Sequence, residues 1–265
     1  MNLNEIREKA IDSELLTITS GTIEAKTSTY TQNSSGPEVN LLCVINAYYF
    51  GHPIHGGIMI DGGFSSDFYL KPSYGNLNFI MKFFQKLNGV TYIQSQNADT
   101  TYQLKDLGVK SDHVYLTHRH PDHTSAINHL PKHVSVSFGK GENSFYYCLL
   151  TRKHLKGRRK HLIDFDQGVS FEGFDRVIDI FGDSSFLAIS TKGHTKDHIS
   201  YLVNGKKMYL IAGDAELTKE AVSNGLYVNS DYGKKGEKDA RESAEKIRAF
   251  SRKYPEVEVI YSHDL

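Results

Sequence analysis

Tryptophan is absent from the 265 residues, and cysteine nearly so: Cys43 and Cys148 stand far apart in apolar surroundings. Two such residues do not make a disulfide framework; they read as buried free thiols of a cytosolic protein. An excess of one charge is missing too. Lys plus Arg number 31 and Asp plus Glu 31, a balance that argues against a chain built mainly to grip nucleic acid or an anionic membrane. No stretch approaches the roughly 18 uninterrupted apolar residues that a membrane span needs. The first sixteen residues carry charges throughout and no apolar core, so no signal peptide is expected and the expected location is the cytoplasm. Repeats, low-complexity tracts and linker-like stretches are lacking as well, so residues 1–265 are expected to form a single domain with a substantial core.

What the chain does have is histidine, 13 of them, and their placement carries more than their number. Apolar spacing predicts helices over 3–16, 76–88, 99–107, 141–150 and 236–253, and after Asp122 as far as Pro131. Strands are expected at 17–26, 39–50, 58–61, 114–117, 134–138, 176–181, 185–190, 198–203, 207–213 and 257–261. Asn204-Gly205 marks a hairpin between two of them. Meanders of strands interrupted by helices suit an α/β sandwich of sheets with helices on its outer faces.

The strongest motif is Thr-His-Arg-His-Pro-Asp-His over 117–123. In an extended segment residues i and i+2 point the same way, so His118 and His120 can share one ion. Pro121 biases His120 towards extended backbone. The chain then turns into a helix and aims Asp122 and His123 elsewhere, so one loop can feed two neighbouring ions. Imidazole nitrogen and carboxylate oxygen suit zinc, and also iron or manganese. Three later strands end in further candidates: His194 in Gly-His-Thr, Asp214 in Gly-Asp-Ala and His263 in Ser-His-Asp. A lone Asp at a strand end is usually a turn residue; here it completes an ordered set.

That ordered set, with Asp61-Gly62-Gly63 upstream, resembles the metallo-β-lactamase superfamily, and most of all its quorum-quenching acyl-homoserine lactonase branch. The resemblance spans about Thr17 to Leu265. It implies an αββα sandwich of two mixed β-sheets. It implies that His118, His120 and His194 bind one metal and Asp122, His123 and His263 a second, two Zn2+ or alternatively Mn2+ or Fe2+. Asp214 would bridge the two, and Asp61 would steady the histidine loop by hydrogen bonds. His198 falls where the family often has a histidine that is not a ligand. Two departures stand out. The lactonases carry a tyrosine three residues after the bridging Asp, where this chain has Leu217, and glycines often follow the Asp-His pair, where it has Thr124 and Ser125. The substrate therefore stays open.

The activity expected is hydrolysis of an ester, lactone or thioester of a small molecule. Two cations about 3.5–4 Å apart lower the pKa of a shared water to roughly 7, which makes a bridging hydroxide available. Asp122 and Asp214 are the expected catalytic residues, Asp122 as a proton carrier to the leaving group. Two alternatives remain: a phosphodiesterase acting on a phosphorylated or nucleic-acid substrate, and an iron-dependent oxidoreductase on the same fold. The basic segment 152–161 reads either as plain surface or as a lid favouring an anionic small molecule. Tyr48, Tyr49, Phe50, Tyr146 and Tyr147 read as packing residues or as an apolar pocket, and His52 and His55 as exposed turn histidines. The motifs do not fix the oligomeric state.

Overall fold

Alternation along the strands decides how the chain layers. The computed structural model describes residues 2–32, 39–71 and 74–264. Among these, one sheet holds seven strands: β1 (Leu16–Lys26), β2 (Asn40–His52), β3 (Gly56–Ile60), β4 (Thr91–Ile93), β5 (His113–Tyr115), β6 (Ser135–Gly139) and β7 (Lys160–Ile163). Their order is β4-β1-β2-β3-β5-β6-β7. The half from β4 to β3 pairs antiparallel and the half from β3 to β7 parallel, so the sheet is mixed. A second sheet holds β8 (Val169–Phe171), β9 (Phe174–Asp179), β10 (Phe186–Ser190), β11 (Ile199–Asn204), β12 (Met208–Gly213) and β13 (Glu258–Tyr261). It runs β13-β12-β11-β10-β9-β8 and is antiparallel except for the parallel pair β12–β13.

In β10, Phe186 and Ala188 enter the core between the sheets, while Leu187 and Ile189 enter a second core on the outer face. This is the period-two geometry of a strand buried on both sides. Tyr48, Phe50, Ile58 and Ile60 of the first sheet meet Phe186, Tyr201 and Ile211 of the second in that middle layer. Ile247 and Phe250 of the long helix Gly233–Lys253 cover the outer face of the second sheet. Leu104 of the helix Thr100–Asp106 and Ile127 of a 3₁₀ turn cover the outer face of the first, over Met59, Val114 and Val136. The result is the layered α/β sandwich of two mixed sheets flanked by helices.

Several elements differ from expectation. The first helix spans only Leu3–Arg7. Beyond it the backbone bonds to the β11–β12 hairpin instead, Ile11 N–H donating to Asn204 O and Lys206 N–H to Ser13 O. The short strands β4, β7 and β8 and the helices Thr27–Tyr30, Asp67–Leu70 and Lys219–Ser223 carry no periodic signal of their own. Cys43 is buried but Cys148 is partly exposed; both are free thiols.

Candidate metal centre

Five strands end at one rim of the sandwich and each delivers a chemical group there. Asp61 follows β3, the His118–His123 loop follows β5, His194 follows β10, Asp214 follows β12 and His263 follows β13. His120 is extended (φ −78°, ψ 156°) and Pro121 opens the short helix Pro121–Thr124, which redirects Asp122 and His123. Gly213 has φ +59°, and a Cβ there would lie 2.7 Å from His198 Nε2 and 2.9 Å from Thr117 Cβ. Only glycine lets β12 turn Asp214 into the site at this point.

The side chains form two groups that share Asp214. His118, His120, His194 and Asp214 make one; Asp122, His123, His263 and Asp214 make the other. In each group the ligand-type atoms all lie within 4.8 Å of one another. His118 Nε2 faces His120 Nδ1 at 2.9 Å, and His120 Nδ1 faces His194 Nε2 at 3.1 Å. Asp214 Oδ1 lies 3.3 Å from His123 Nε2, and Asp214 Oδ2 lies 3.3 Å from His263 Nε2 and 3.5 Å from His194 Nε2.

The outward nitrogen of each ring is anchored. His118 Nδ1 meets Thr117 Oγ1 at 3.0 Å, His120 Nε2 meets Asp231 Oδ2 at 2.8 Å and His194 Nδ1 meets Asn229 O at 2.9 Å. His123 Nδ1 meets Asp61 Oδ2 at 2.8 Å and His263 Nδ1 meets Val44 O at 2.9 Å. Such outer contacts fix a ring's tautomer and leave the inner nitrogen a lone pair. His123 Nε2 and Asp214 Oδ1 are buried with no hydrogen-bond partner. Buried polar atoms without partners are costly, and five imidazoles with two carboxylates are a donor set for divalent cations. The residues fit a pair of metal ions.

Electrostatics follow the same geometry. Burial acts to raise the Asp214 carboxyl, yet His263, His123 and His118 outweigh it and hold it well below the usual carboxylate range. Burial opposes charge on His120 too, but Asp231 outweighs it and pushes the imidazole up to about 9. His118, fully enclosed, is driven well below its ordinary value by burial and by His123. Metal uptake must displace the proton on His120, which makes affinity pH-dependent.

The metallo-beta-lactamase superfamily model matches residues 41–262. The chain belongs to this superfamily. Among curated relatives, it is similar to the N-acyl homoserine lactonase AttM of Agrobacterium fabrum (strain C58 / ATCC 33970), 25% identical over 267 residues that cover 96% of this chain and 94% of that one. Among solved structures, it is similar to an AiiA variant of B. thuringiensis with N-decanoyl-L-homoserine bound at the active site, with a TM-score of 0.70 at 16% identity, covering 97% and 94% of the two chains. A probable metal-dependent hydrolase from Staphylococcus aureus gives a TM-score of 0.59 at 14% identity, covering 96% and 90%. The chain thus stands close to the branch of these lactonases, and its two His/Asp groups form a candidate binuclear site consistent with a metal-dependent hydrolase.

Asp61 receives Thr117 N–H at 2.8 Å and Thr117 Oγ1–H at 2.9 Å besides His123, so it steadies the loop as expected of the family. His198 stays behind the site, bonded through Nδ1 to Thr191 Oγ1, and belongs to neither group. Leu217 is buried against Val228, Ala240 and Tyr30. Tyr30 itself lines a cavity of about 340 Å³ that opens over the site, with Asp122, Asp214, His120, His194 and Asp231 at its polar end. Ile23, Met81, Tyr92, Tyr146 and Leu150 form its apolar walls.

Two readings of single residues change, and one open alternative is resolved. None of residues 152–161 lines this cavity, and Arg158 is buried, its guanidinium donating to the carbonyls of Ile127, Leu130 and Pro131. A run of charge hid a structural arginine. His52 is buried rather than exposed: Nε2 meets Asp183 Oδ2 at 3.0 Å, and Nδ1 accepts the N–H groups of Ile54 and His55. Tyr48 and Phe50 belong to the middle core, and Tyr146 to the cavity wall. Asp231 and Asn229 escaped sequence reasoning altogether. Neither sits in a motif; the only available signal was a polar Asn-Ser-Asp run just ahead of the long helix.

Proposed function

We propose that this protein is a binuclear metal-dependent hydrolase that opens an ester, lactone or thioester of a small molecule with an apolar part, and that its resident ions are zinc. His118, His120 and His194 would hold one ion, Asp122, His123 and His263 the other, and Asp214 would be shared between them. The observation that carries this reading is the anchoring of five imidazoles from outside, with two inward atoms of the same site buried and unpartnered. The lactonase names of the similar proteins and the apolar cavity walls support the substrate class.

Bound there, a pair of divalent cations supplies an acidified water and an electrophilic partner for the substrate carbonyl oxygen. The chain's own residues do the rest. Asp122 lines the cavity, with its Oδ2 3.3 Å from His123 Nε2; it takes a proton on the cavity side and hands it to the leaving oxygen or sulfur. Tyr30 keeps its proton, because burial and the nearby Cys43, Tyr92, Asp122 and Asp214 raise it well above its ordinary value. It is therefore a donor available to a substrate oxygen in the place that Leu217 leaves to it. The apolar walls orient the acyl part and exclude water. The absence of any of residues 152–161 from the lining favours an uncharged substrate over an anionic one.

The test is a hydrolysis panel on zinc-loaded protein covering acyl lactones, thioesters, phosphodiesters and β-lactams. The proposal expects lactones or thioesters to give the highest kcat/KM, with activity lost on chelation and restored by zinc. Full turnover by metal-stripped protein, or a preference for phosphodiesters, would reject it.

A further inference from the structure

The helix Phe79–Leu87 has no buried residue. Phe79 is 81% exposed, Phe83 64% and Leu87 72%. Asn78 Nδ2–H donates to Leu149 O at 3.2 Å and so ties this helix to a second one, Phe145–Thr151, where Phe145 is 85% exposed. Both helices form the wall of the active-site cavity, through Met81 and Gln85 on one and Tyr146 and Leu150 on the other. The outer sides of the two therefore make one apolar rim around the cavity mouth. Soluble proteins rarely leave so many large apolar side chains uncovered in one place without a use.

Charge says what covers it. The segments 74–98 and 143–163 contain no Asp or Glu in a chain whose total charge is balanced. They do contain Lys82, Lys86, Arg152, Lys153, Lys156 and Arg159, none of which makes an ion pair with a described residue. Arg152, Lys156 and Lys160 share a surface hollow with Phe145 and Leu149, so cations and apolar side chains are interleaved. On the helix Phe79–Leu87, Lys82 and Lys86 line one surface hollow with Phe83, so cations edge the apolar face, the pattern of a segment lying in a lipid headgroup layer. A second copy fits less well, because a two-fold contact of this rim with itself would offer the lysines and arginines of the two segments no carboxylate from either segment.

We propose that this rim docks on an anionic lipid bilayer, with the cavity mouth turned to the lipid. Aromatic and aliphatic side chains would enter the headgroup region while the lysines and arginines meet phosphate. The orientation would let a substrate partitioned in lipid enter between the two helices. The claim does not depend on the reaction proposed for the site.

The experiment is co-sedimentation of the full chain with phosphatidylcholine vesicles, with and without about one-third phosphatidylglycerol, at physiological salt. The expected result is binding to the anionic vesicles, weakened by added salt and falling roughly tenfold or more in Phe79→Ser/Phe83→Ser. A separate Lys86→Glu/Lys156→Glu variant, which leaves the apolar rim intact, should lose the preference for anionic lipid. Wild-type protein that stays in the supernatant, that binds neutral vesicles equally, or that binds no better than either variant would overturn the proposal. A dimer in solution that Phe79→Ser/Phe83→Ser dissociates, with no vesicle binding, would assign the face to a second copy and overturn it as well.

Discussion

Replacing Asp61 by Asn tests how far the metal centre depends on a residue that touches no ion. Asp61 is buried and has φ +61°, a conformation Asn also tolerates, so the backbone has no reason to move. As a carboxylate it only accepts: from Thr117 N–H, from Thr117 Oγ1–H and from His123 Nδ1–H. An amide keeps one acceptor and brings two donors. Its carbonyl can still take Thr117 N–H, but its NH2 then faces Thr117 Oγ1 and His123 Nδ1. His123 must surrender its Nδ1 proton and carry it on Nε2, the atom aimed at the site. The effect also travels through Thr117. Its hydroxyl donates to Asp61 and accepts from His118 Nδ1, and the amide reverses that direction too. Loss of a partner of this kind costs about 10–100-fold in metal affinity, or about 1.4–2.7 kcal/mol. Competition with a chromophoric chelator measures both binding steps. The expected result is that the ion held by His123 weakens most and the ion held by His118 less, with unchanged circular dichroism. Both ions binding within about threefold of wild type would refute the tautomer argument.

Other outcomes follow from single contacts. Arg158→Ala removes a guanidinium that satisfies three buried carbonyls; denaturant unfolding should show a loss of roughly 2–4 kcal/mol, while KM of the folded fraction stays unchanged. Tyr30→Phe should lower kcat by about 10–100-fold with metal content intact, measured by steady-state kinetics beside metal analysis; an unchanged kcat would remove Tyr30 from the reaction. Burial raises Glu142 from 4.5 to about 7, so the folded protein holds this proton across a window in which the unfolded chain has released it. Stability present below the lower value is lost as pH rises through the upper one, by roughly 3 kcal/mol. Glu142→Gln should therefore flatten the fall in stability between about pH 5 and pH 8; an unchanged slope would contradict the assignment.

The groups around the metal centre were legible because each sits at the end of a strongly patterned strand. Val114, Leu116 and the two residues of β3 before Asp61 are apolar and buried, and the polar residue that ends each run must meet a partner or an ion. What stayed hidden depends on contacts distant in sequence. Asp231 bonds a ring 111 positions away, and Arg158 reaches carbonyls 27 to 31 positions upstream. His52 ends β2 and is covered by the loop between β9 and β10, through Asp183 and Ser185, a contact that the local turn residues alone cannot foresee. Apolar spacing predicts too long a first helix because Ile11 and Leu15 continue the pattern beyond Arg7. In the fold they pack against the middle core from a non-helical path instead. The apolar helix Phe79–Leu87 gives the opposite lesson: its helical spacing was plain, but periodicity cannot tell a face turned to the core from one turned outward.

Anomalous-difference diffraction from zinc-loaded crystals addresses the metal centre itself. The expected map has two peaks, one among His118, His120 and His194 and one among Asp122, His123 and His263, with the Asp214 carboxylate between them. A single peak, or none after soaking, would contradict the binuclear site.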